Sequence, residues 1–234
     1  MSVGHLTAIG FDADDTLWQN ETFFRMTEQR FTELLSSHGE HEVLSARLLE
    51  AERRNLSFYG YGVKGFTLSM IETAVEVTKG EVPASVIAEI LSFGRQMLQN
   101  PVETLPGVHD TLDALAGKYR ILLITKGDLF DQERKLAQSG LGDYFDAVEI
   151  VSEKTKSTYD RIFARHGDRA ARAMMVGNSL KSDVVPAIAA GAYGVHVPHE
   201  LTWVLEHEEA PEGNPRFRRI PDLGKLLPLI GQMT

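Results

Sequence analysis

The chain has 234 residues, 43% of them hydrophobic and 24% charged, with a formal net charge of −9, the profile of an ordinary soluble globular protein with enough apolar side chains for a core. It contains no cysteine, which excludes a disulfide scaffold, a thiolate zinc site, an iron–sulfur cluster and a cysteine nucleophile. No basic stripe offers itself to nucleic acid, no run approaches the ~18–20 apolar residues of a membrane span, and the start MSVGHLTAIG lacks a basic segment ahead of a long apolar one, so the expected location is the cytoplasm.

Val3 to Phe11 is apolar and ends at a cluster of carboxylates, which predicts a buried first strand. From Asn20 to about Asn100 the apolar residues fall at helical spacing, as in Phe24, Phe31 and Leu35 or Val86, Ile90 and Met97. Asn100-Pro101 and Leu105-Pro106-Gly107 punctuate the end of this block. Beyond it helices and strands alternate. Strands are predicted at Tyr119–Thr125, around Val148–Val151, at Ala173–Val176 and at Tyr193–Val197. Helices are predicted around Val108–Leu115, Gln132–Ser139, Thr158–Arg165 and Asp183–Ala190, each followed by a glycine stop signal. Such alternation implies parallel strands with crossover helices, hence an α/β fold: a Rossmann-like parallel sheet sandwiched by helices. The helical block separates the first strand from the rest and reads as an inserted all-helical cap over 19–103, the α/β core taking 1–18 and 104–234. Glu206 to Arg219, charged and broken by prolines, reads as a surface excursion.

In open α/β sheets ligands bind beyond the carboxyl ends of the strands, and four predicted strand ends carry reactive chemistry. The first leads into Asp12-Ala13-Asp14-Asp15-Thr16, the second into Thr125-Lys126-Gly127-Asp128, the third into Ser152-Glu153-Lys154-Thr155-Lys156, and the fourth into Gly177-Asn178-Ser179 with Asp183 beyond. One of Asp14, Asp15 and Thr16, best Thr16, is expected to cap a following helix. That leaves Asp12 and Asp14 together at the end of a buried strand, where like charges need a hard cation bound through oxygen, with Asn178 and Asp183 to complete its shell. Lysines then suit an anionic substrate, and carboxylates, Mg²⁺, a hydroxyl and a lysine are the equipment of phosphoryl transfer.

The segments FDADDTLW, ILLITKGD, SEKTKSTY and MVGNSLKSD resemble, in order and in placement at strand ends, the motifs of the haloacid dehalogenase-like hydrolase superfamily. The resemblance covers about 1–18 and 105–200, and the helical insert falls where members with a helical cap carry theirs. Its phosphatase branch implies Asp12 as nucleophile, Asp14 as general acid/base, and Thr125, Lys154 and the amide of Lys126 on the phosphoryl group. It also implies Mg²⁺ held by Asp12, the Asp14 carbonyl and Asp183, with Asn178 nearby, and a small phosphorylated substrate. Three departures stand out. Asp15 occupies a position usually held by glycine, Lys156 competes with Lys154 as the motif lysine, and Asn178 replaces an aspartate, leaving Asp183 as the only carboxylate of the fourth motif. Halide displacement needs no proton donor, so Asp14 favours ester hydrolysis over dehalogenation. A non-catalytic phospho-ligand binding protein and a phosphomutase remain as alternatives.

Gly60-Tyr61-Gly62-Val63-Lys64-Gly65 spells a dinucleotide fingerprint, but a helix-like segment precedes it where a strand is required. It reads either as a cap loop that brings Tyr61 and Lys64 to the substrate's leaving group or as a plain helix connector. The pairs His38/His41 and His196/His199 read as solvated, and Trp18 and Trp203 as packing residues.

Overall fold

The structure is a computed structural model and describes residues 6–233. Val3, Gly4 and His5 of the predicted first strand lie outside the described residues. Strand β1 (Ala8–Phe11) is buried throughout. It is followed by α1 (Glu21–Leu34), α2 (His41–Tyr59), α3 (Val63–Val77), α4 (Ala84–Gln99) and α5 (Val108–Leu115). Then come β2 (Arg120–Lys126), α6 (Leu129–Ser139), β3 (Ala147–Val151), α7 (Lys156–His166), β4 (Ala173–Gly177), α8 (Val185–Ala189), β5 (Tyr193–His196), β6 (Phe217–Arg219) and α9 (Leu226–Met233).

The six strands form one parallel sheet in the order β3-β2-β1-β4-β5-β6. Strand β1 sits between β2 and β4, so chain order reverses there. Phe11 aligns with Leu123 and Val176, and the residue after it, Asp12, emerges at the crevice where open sheets place ligands. Alternating side chains divide the core into two layers. Ile9, Phe11, Leu123, Val176 and Val195 pack with Val108 and Leu112 of α5 and Leu226 and Ile230 of α9. Ala8, Leu122, Ile124 and Met175 pack with Tyr159, Ile162 and Phe163 of α7. Burying a large side chain in either layer contributes about 1.5–3 kcal/mol.

The chain forms two compact units. The sheet unit runs to Gln19 and takes in Val102–Lys126 and the chain from Gln132 onward; the other comprises Asn20–Pro101 with Gly127–Asp131. This second unit contains α1–α4 around its own core of Phe31, Leu35, Leu44, Leu48, Phe66, Met70, Ile90 and Phe93; of these, Phe31, Leu35 and Ile90 are among the residues read at helical spacing. Among the described residues no helix is long and apolar enough to cross a membrane.

Two expectations need correction. The stretch Glu206–Arg219 is not merely a surface excursion: Phe217–Arg219 is the sixth strand, paired in parallel with β5 from Gly194↔Phe217 to His196↔Arg219. Three residues with two arginines are too short and too polar to show a strand period. Thr16 does not cap a helix either. The next helix starts at Glu21, and residues 13–18 instead close a tight turn with Leu17 N on Ala13 O at 2.8 Å and Asp15 N on Trp18 O at 2.7 Å. Asp15 has φ 60° in that turn, a left-handed conformation that aspartate tolerates better than most side chains.

Candidate active site

The ends of β1, β2, β3 and β4 bring Asp12, Asp14, Thr125, Lys126, Lys154, Asn178 and Asp183 into the sheet unit's crevice. Lys154, 4% exposed, places its ammonium between two carboxylates: it donates a short hydrogen bond to Asp12 Oδ1 and another to Asp183 Oδ1 at 2.7 Å. Burial alone would lower the Lys154 pKa, but the two aspartates outweigh it and hold it up, so the ammonium stays charged. The Asp12 pKa is raised as well, up to about 7, by burial first and by the Asp183 charge second, against the pull of Lys154. Two carboxylates thus share one cation. Lys156, the rival lysine, is at the surface on Asp160 at 2.6 Å, while the neighbouring Thr155 caps α7 by accepting from Thr158 N.

Asp183 is 1% exposed and also accepts from Ser179 N at 3.0 Å. It reaches the site on a wide π-type turn, Leu180–Val184, that precedes α8 where the sequence predicted one continuous helix. The approach depends on Gly177 at the end of β4, because a Cβ there would collide with the Asp183 carboxylate. Thr16 joins the first and fourth strand ends. Its hydroxyl accepts from Asn178 N at 3.0 Å and lies 3.3 Å from both Asp12 Oδ2 and Asn178 Oδ1, with one proton for the two. His196 Nε2 is 3.0 Å from the Asn178 carbonyl, which makes it the protonated nitrogen, and burial keeps this ring neutral.

Asp14 is held by three donors: Trp18 Nε1 at 2.7 Å and Lys135 Nζ at 2.8 Å on Oδ1, and Gln132 Nε2 at 2.9 Å on Oδ2. Burial would raise its pKa, but Lys135, Gln132 and Trp18 prevail and hold it below the ordinary carboxylate value. Gln132 is within reach of Thr125 Oγ1 as well, at 3.1 Å, so the first turns of α6 tie the second strand end to the first. Sequence reading missed Gln132 and Lys135, although their spacing of three on the helix following β2 puts both on one face. It also assigned Trp18 to packing alone; the ring is buried in the core, and its N–H still serves Asp14. A further residue missed is Glu206, whose carboxylate receives Lys126 Nζ at 2.6 Å.

Tyr61 and Lys64 lie in the helical unit, Tyr61 on the connection between α2 and α3 and Lys64 in the first turn of α3. Gly60 (φ 70°) closes α2 and Gly62 (φ 106°) opens α3, so helices flank the glycine-rich segment on both sides and the dinucleotide fold is absent there. The Lys64 ammonium is engaged by both oxygens of Asp128 at 3.0 and 2.9 Å.

Among the described residues no three His, Asp or Glu side chains gather into a metal cage. His41 instead contacts Thr32 Oγ1 at 2.8 Å. Magnesium does not need a cage, since one or two carboxylates, water and a substrate phosphate suffice. Asp12, Asp183 and Asn178 are hard oxygen donors whose combined charge exceeds that of Lys154, so the donor set fits such a cation. The Asp14 side chain is committed to Trp18, Gln132 and Lys135, leaving its carbonyl as its available oxygen.

A parallel sheet carries a buried carboxylate at its switch point, with lysine, threonine and aspartate on the neighbouring strand ends. Residues 6–191 match the family of haloacid dehalogenase-like hydrolases, and the chain belongs to it. It is similar, at 42% sequence identity and a TM-score of 0.87, to the solved structure of a haloacid dehalogenase-like family hydrolase from Xanthomonas campestris, over 97% of this chain and 91% of that one. It is also 34% identical over 117 residues to the pyrimidine 5′-nucleotidase YjjG of Escherichia coli, a match spanning 47% of this chain and 48% of that protein, about half the length of each. A glyceraldehyde 3-phosphate phosphatase of Methanothermobacter thermautotrophicus is 26% identical over 84% of this chain and 88% of its own length.

Proposed function

We propose that this hydrolase is a Mg²⁺-dependent phosphatase that removes phosphate from a small phosphorylated metabolite in the cytoplasm through an aspartyl-phosphate on Asp12. The observation that carries the reading is the buried Asp12 at the end of β1, with Lys154 and Asp183 against it. The two named relatives support the class: a nucleotide and a triose phosphate have a phosphate monoester in common and little else.

In this reading Asp12, Asp183, Asn178 and the Asp14 carbonyl hold Mg²⁺, which supplies positive charge against the substrate dianion. Lys154 and the Thr125 hydroxyl bind phosphoryl oxygens together with the Lys126 peptide N–H. Asp12 attacks phosphorus, the bond to the ester oxygen breaks, and Asp14 gives that oxygen a proton. Water then attacks phosphorus, Asp14 takes its proton, and the Asp12 carboxylate is released with inorganic phosphate. The ionised Asp14 of the substrate-free site suits the second half. For the first it must be protonated, and an arriving phosphate dianion raises its proton affinity. Tyr61 and Lys64 are assigned to the leaving group.

The test is release of phosphate from an aryl phosphate with and without Mg²⁺; no Mg²⁺-dependent release would favour a phosphate-binding protein without turnover, the reading that the uncharged Asn178 supports. Within the active enzyme, Asp183→Asn is expected to raise the Mg²⁺ concentration for half activity well beyond Asn178→Ala, since only Asp183 contributes a charge. Indistinguishable Mg²⁺ titrations would refute that assignment.

A further inference from the structure

Lys126 ends β2 beside Thr125, yet its ammonium has no part in the chemistry above. A lysine at that place is a hazard. Beyond the charge that Lys154 already supplies, a second ammonium that gripped substrate, transition state and product alike would lower KM without raising kcat and slow product release. The fold engages this charge chiefly through a residue 80 positions away in sequence, Glu206 at 2.6 Å, with Glu153 Oε1 farther off at 3.7 Å.

The connection from β5 to β6 turns back at Val204–Glu206, where Lys181 Nζ donates to the Leu205 carbonyl at 2.6 Å. From this turn Glu206 extends a carboxylate of which each oxygen is used. Oε1 accepts from Lys126 Nζ at 2.6 Å; Oε2 accepts from Ser179 Oγ at 2.6 Å and Ser182 Oγ at 2.5 Å. Lys126 Nζ also donates to Ser182 Oγ at 2.8 Å, closing the ring. The Lys126 and Glu206 side chains are each only 13% exposed. Both serines belong to the turn that carries Asp183: Ser182 N donates to Ser179 Oγ at 2.9 Å, and Ser179 N to Asp183 Oδ2 at 3.0 Å. Burial would raise the Glu206 pKa, but Lys126 and the two hydroxyls prevail and hold it below the ordinary value, so the pair is ionic at neutral pH.

We infer that Glu206 is a positioning residue for the phosphoryl site: it keeps the Lys126 ammonium off the substrate, so that the peptide N–H of Lys126 serves there instead, and it braces the Ser179–Ser182 turn behind Asp183. The inference rests on the phosphatase reading and deepens it. Glu206 touches no reacting atom; it acts through Lys126 and through the turn.

The experiment uses the full chain with Glu206→Gln, Glu206→Asp, and Glu206→Gln combined with Lys126→Met. Inorganic phosphate binding is measured by calorimetry in Mg²⁺, and kcat and KM on an aryl phosphate. Glu206→Gln is expected to bind phosphate about fivefold or more tightly than wild type, the strength of one partly solvated ion pair, and to lose kcat and KM together. Lys126→Met in that background should return phosphate affinity and kcat towards wild type, and Glu206→Asp, which keeps the charge, should fall between. A bracing role alone would lower kcat without tightening phosphate and would not be reversed by the second substitution. Phosphate affinity unchanged in Glu206→Gln, or a double variant no different from the single, would overturn the inference. Absence of wild-type turnover would count against the phosphatase reading instead, while the calorimetric comparison still reads Glu206.

Discussion

Asp12→Asn should abolish turnover while leaving the fold intact. A carboxamide cannot replace the nucleophile, and no other carboxylate is positioned to take over, because Asp183 is fixed on Lys154 and Ser179 N and Asp14 on Trp18, Gln132 and Lys135. The substitution leaves one buried carboxylate facing one buried ammonium, a balanced pair in place of an unbalanced trio, so the variant is expected to melt no lower than wild type in metal-free buffer at neutral pH. Asp14→Asn should differ in kind. Loss of a general acid costs about 10²–10⁴-fold, or roughly 3–5 kcal/mol of barrier, and the cost should shrink for esters whose leaving groups are already acidic. Acid quench during turnover, borohydride reduction and mass mapping decide the roles: the modification should fall on Asp12 in wild type and in Asp14→Asn. Reduced label at any other residue, or measurable turnover in Asp12→Asn, would remove Asp12 from the role of nucleophile.

How much of this was legible in the sequence depends on the length of the signal. Strands β1, β2 and β4 are apolar runs bounded by turn residues, and the helical unit buries at Phe31, Leu35 and Ile90 the residues its periodicity marked. Strand β6 was not legible, because three residues cannot display a period and its register comes from pairing with β5. Side chains that act at strand ends within one segment, such as Asp12, Thr125 and Lys154, could be singled out as local clusters. Those that reach the site from elsewhere were invisible. Glu206 lies in a charged, proline-broken stretch whose composition is that of an exposed loop, and only the turn at Val204–Glu206 brings it against Lys126 and Ser179. Gln132 and Lys135 fell between these cases, readable as one helix face but without a local reason to aim at Asp14.

Composition left the relief of repulsion in residues 12–15 open. Asp12 and Asp14 at one strand end called for a cation bound through oxygen, and the fold sets a lysine against each of them. Asp12 faces Lys154, which it shares with Asp183, Asp14 faces Lys135, and Asp15 Oδ1 lies 3.8 Å from His199 Nε2. Repulsion is therefore relieved locally for Asp14, and what remains for a metal is the excess charge of Asp12 and Asp183 over Lys154.

That excess makes Lys154→Met the substitution with the largest expected effect on stability. Removing the ammonium leaves Asp12 and Asp183 buried face to face, and an uncompensated buried charge costs about 3–5 kcal/mol. For a chain of this size the sheet unit's melting temperature should fall by roughly 10 °C at neutral pH. The deficit should narrow in mild acid, where one carboxylate takes up a proton and the repulsion ends. Mg²⁺ should restore more stability to this variant than to wild type, because the ion takes the place of the lost charge, and this reads the metal site without turnover. Turnover itself should fall by about 10²–10³-fold or more, the usual cost of one electrostatic donor to the transferring group. Melting curves of Lys154→Met and wild type across pH, each with and without Mg²⁺, provide the check. A variant as stable as wild type in metal-free neutral buffer, or one that Mg²⁺ stabilises no more than wild type, would show that Lys154 does not hold Asp12 and Asp183 together and that no cation site lies between them.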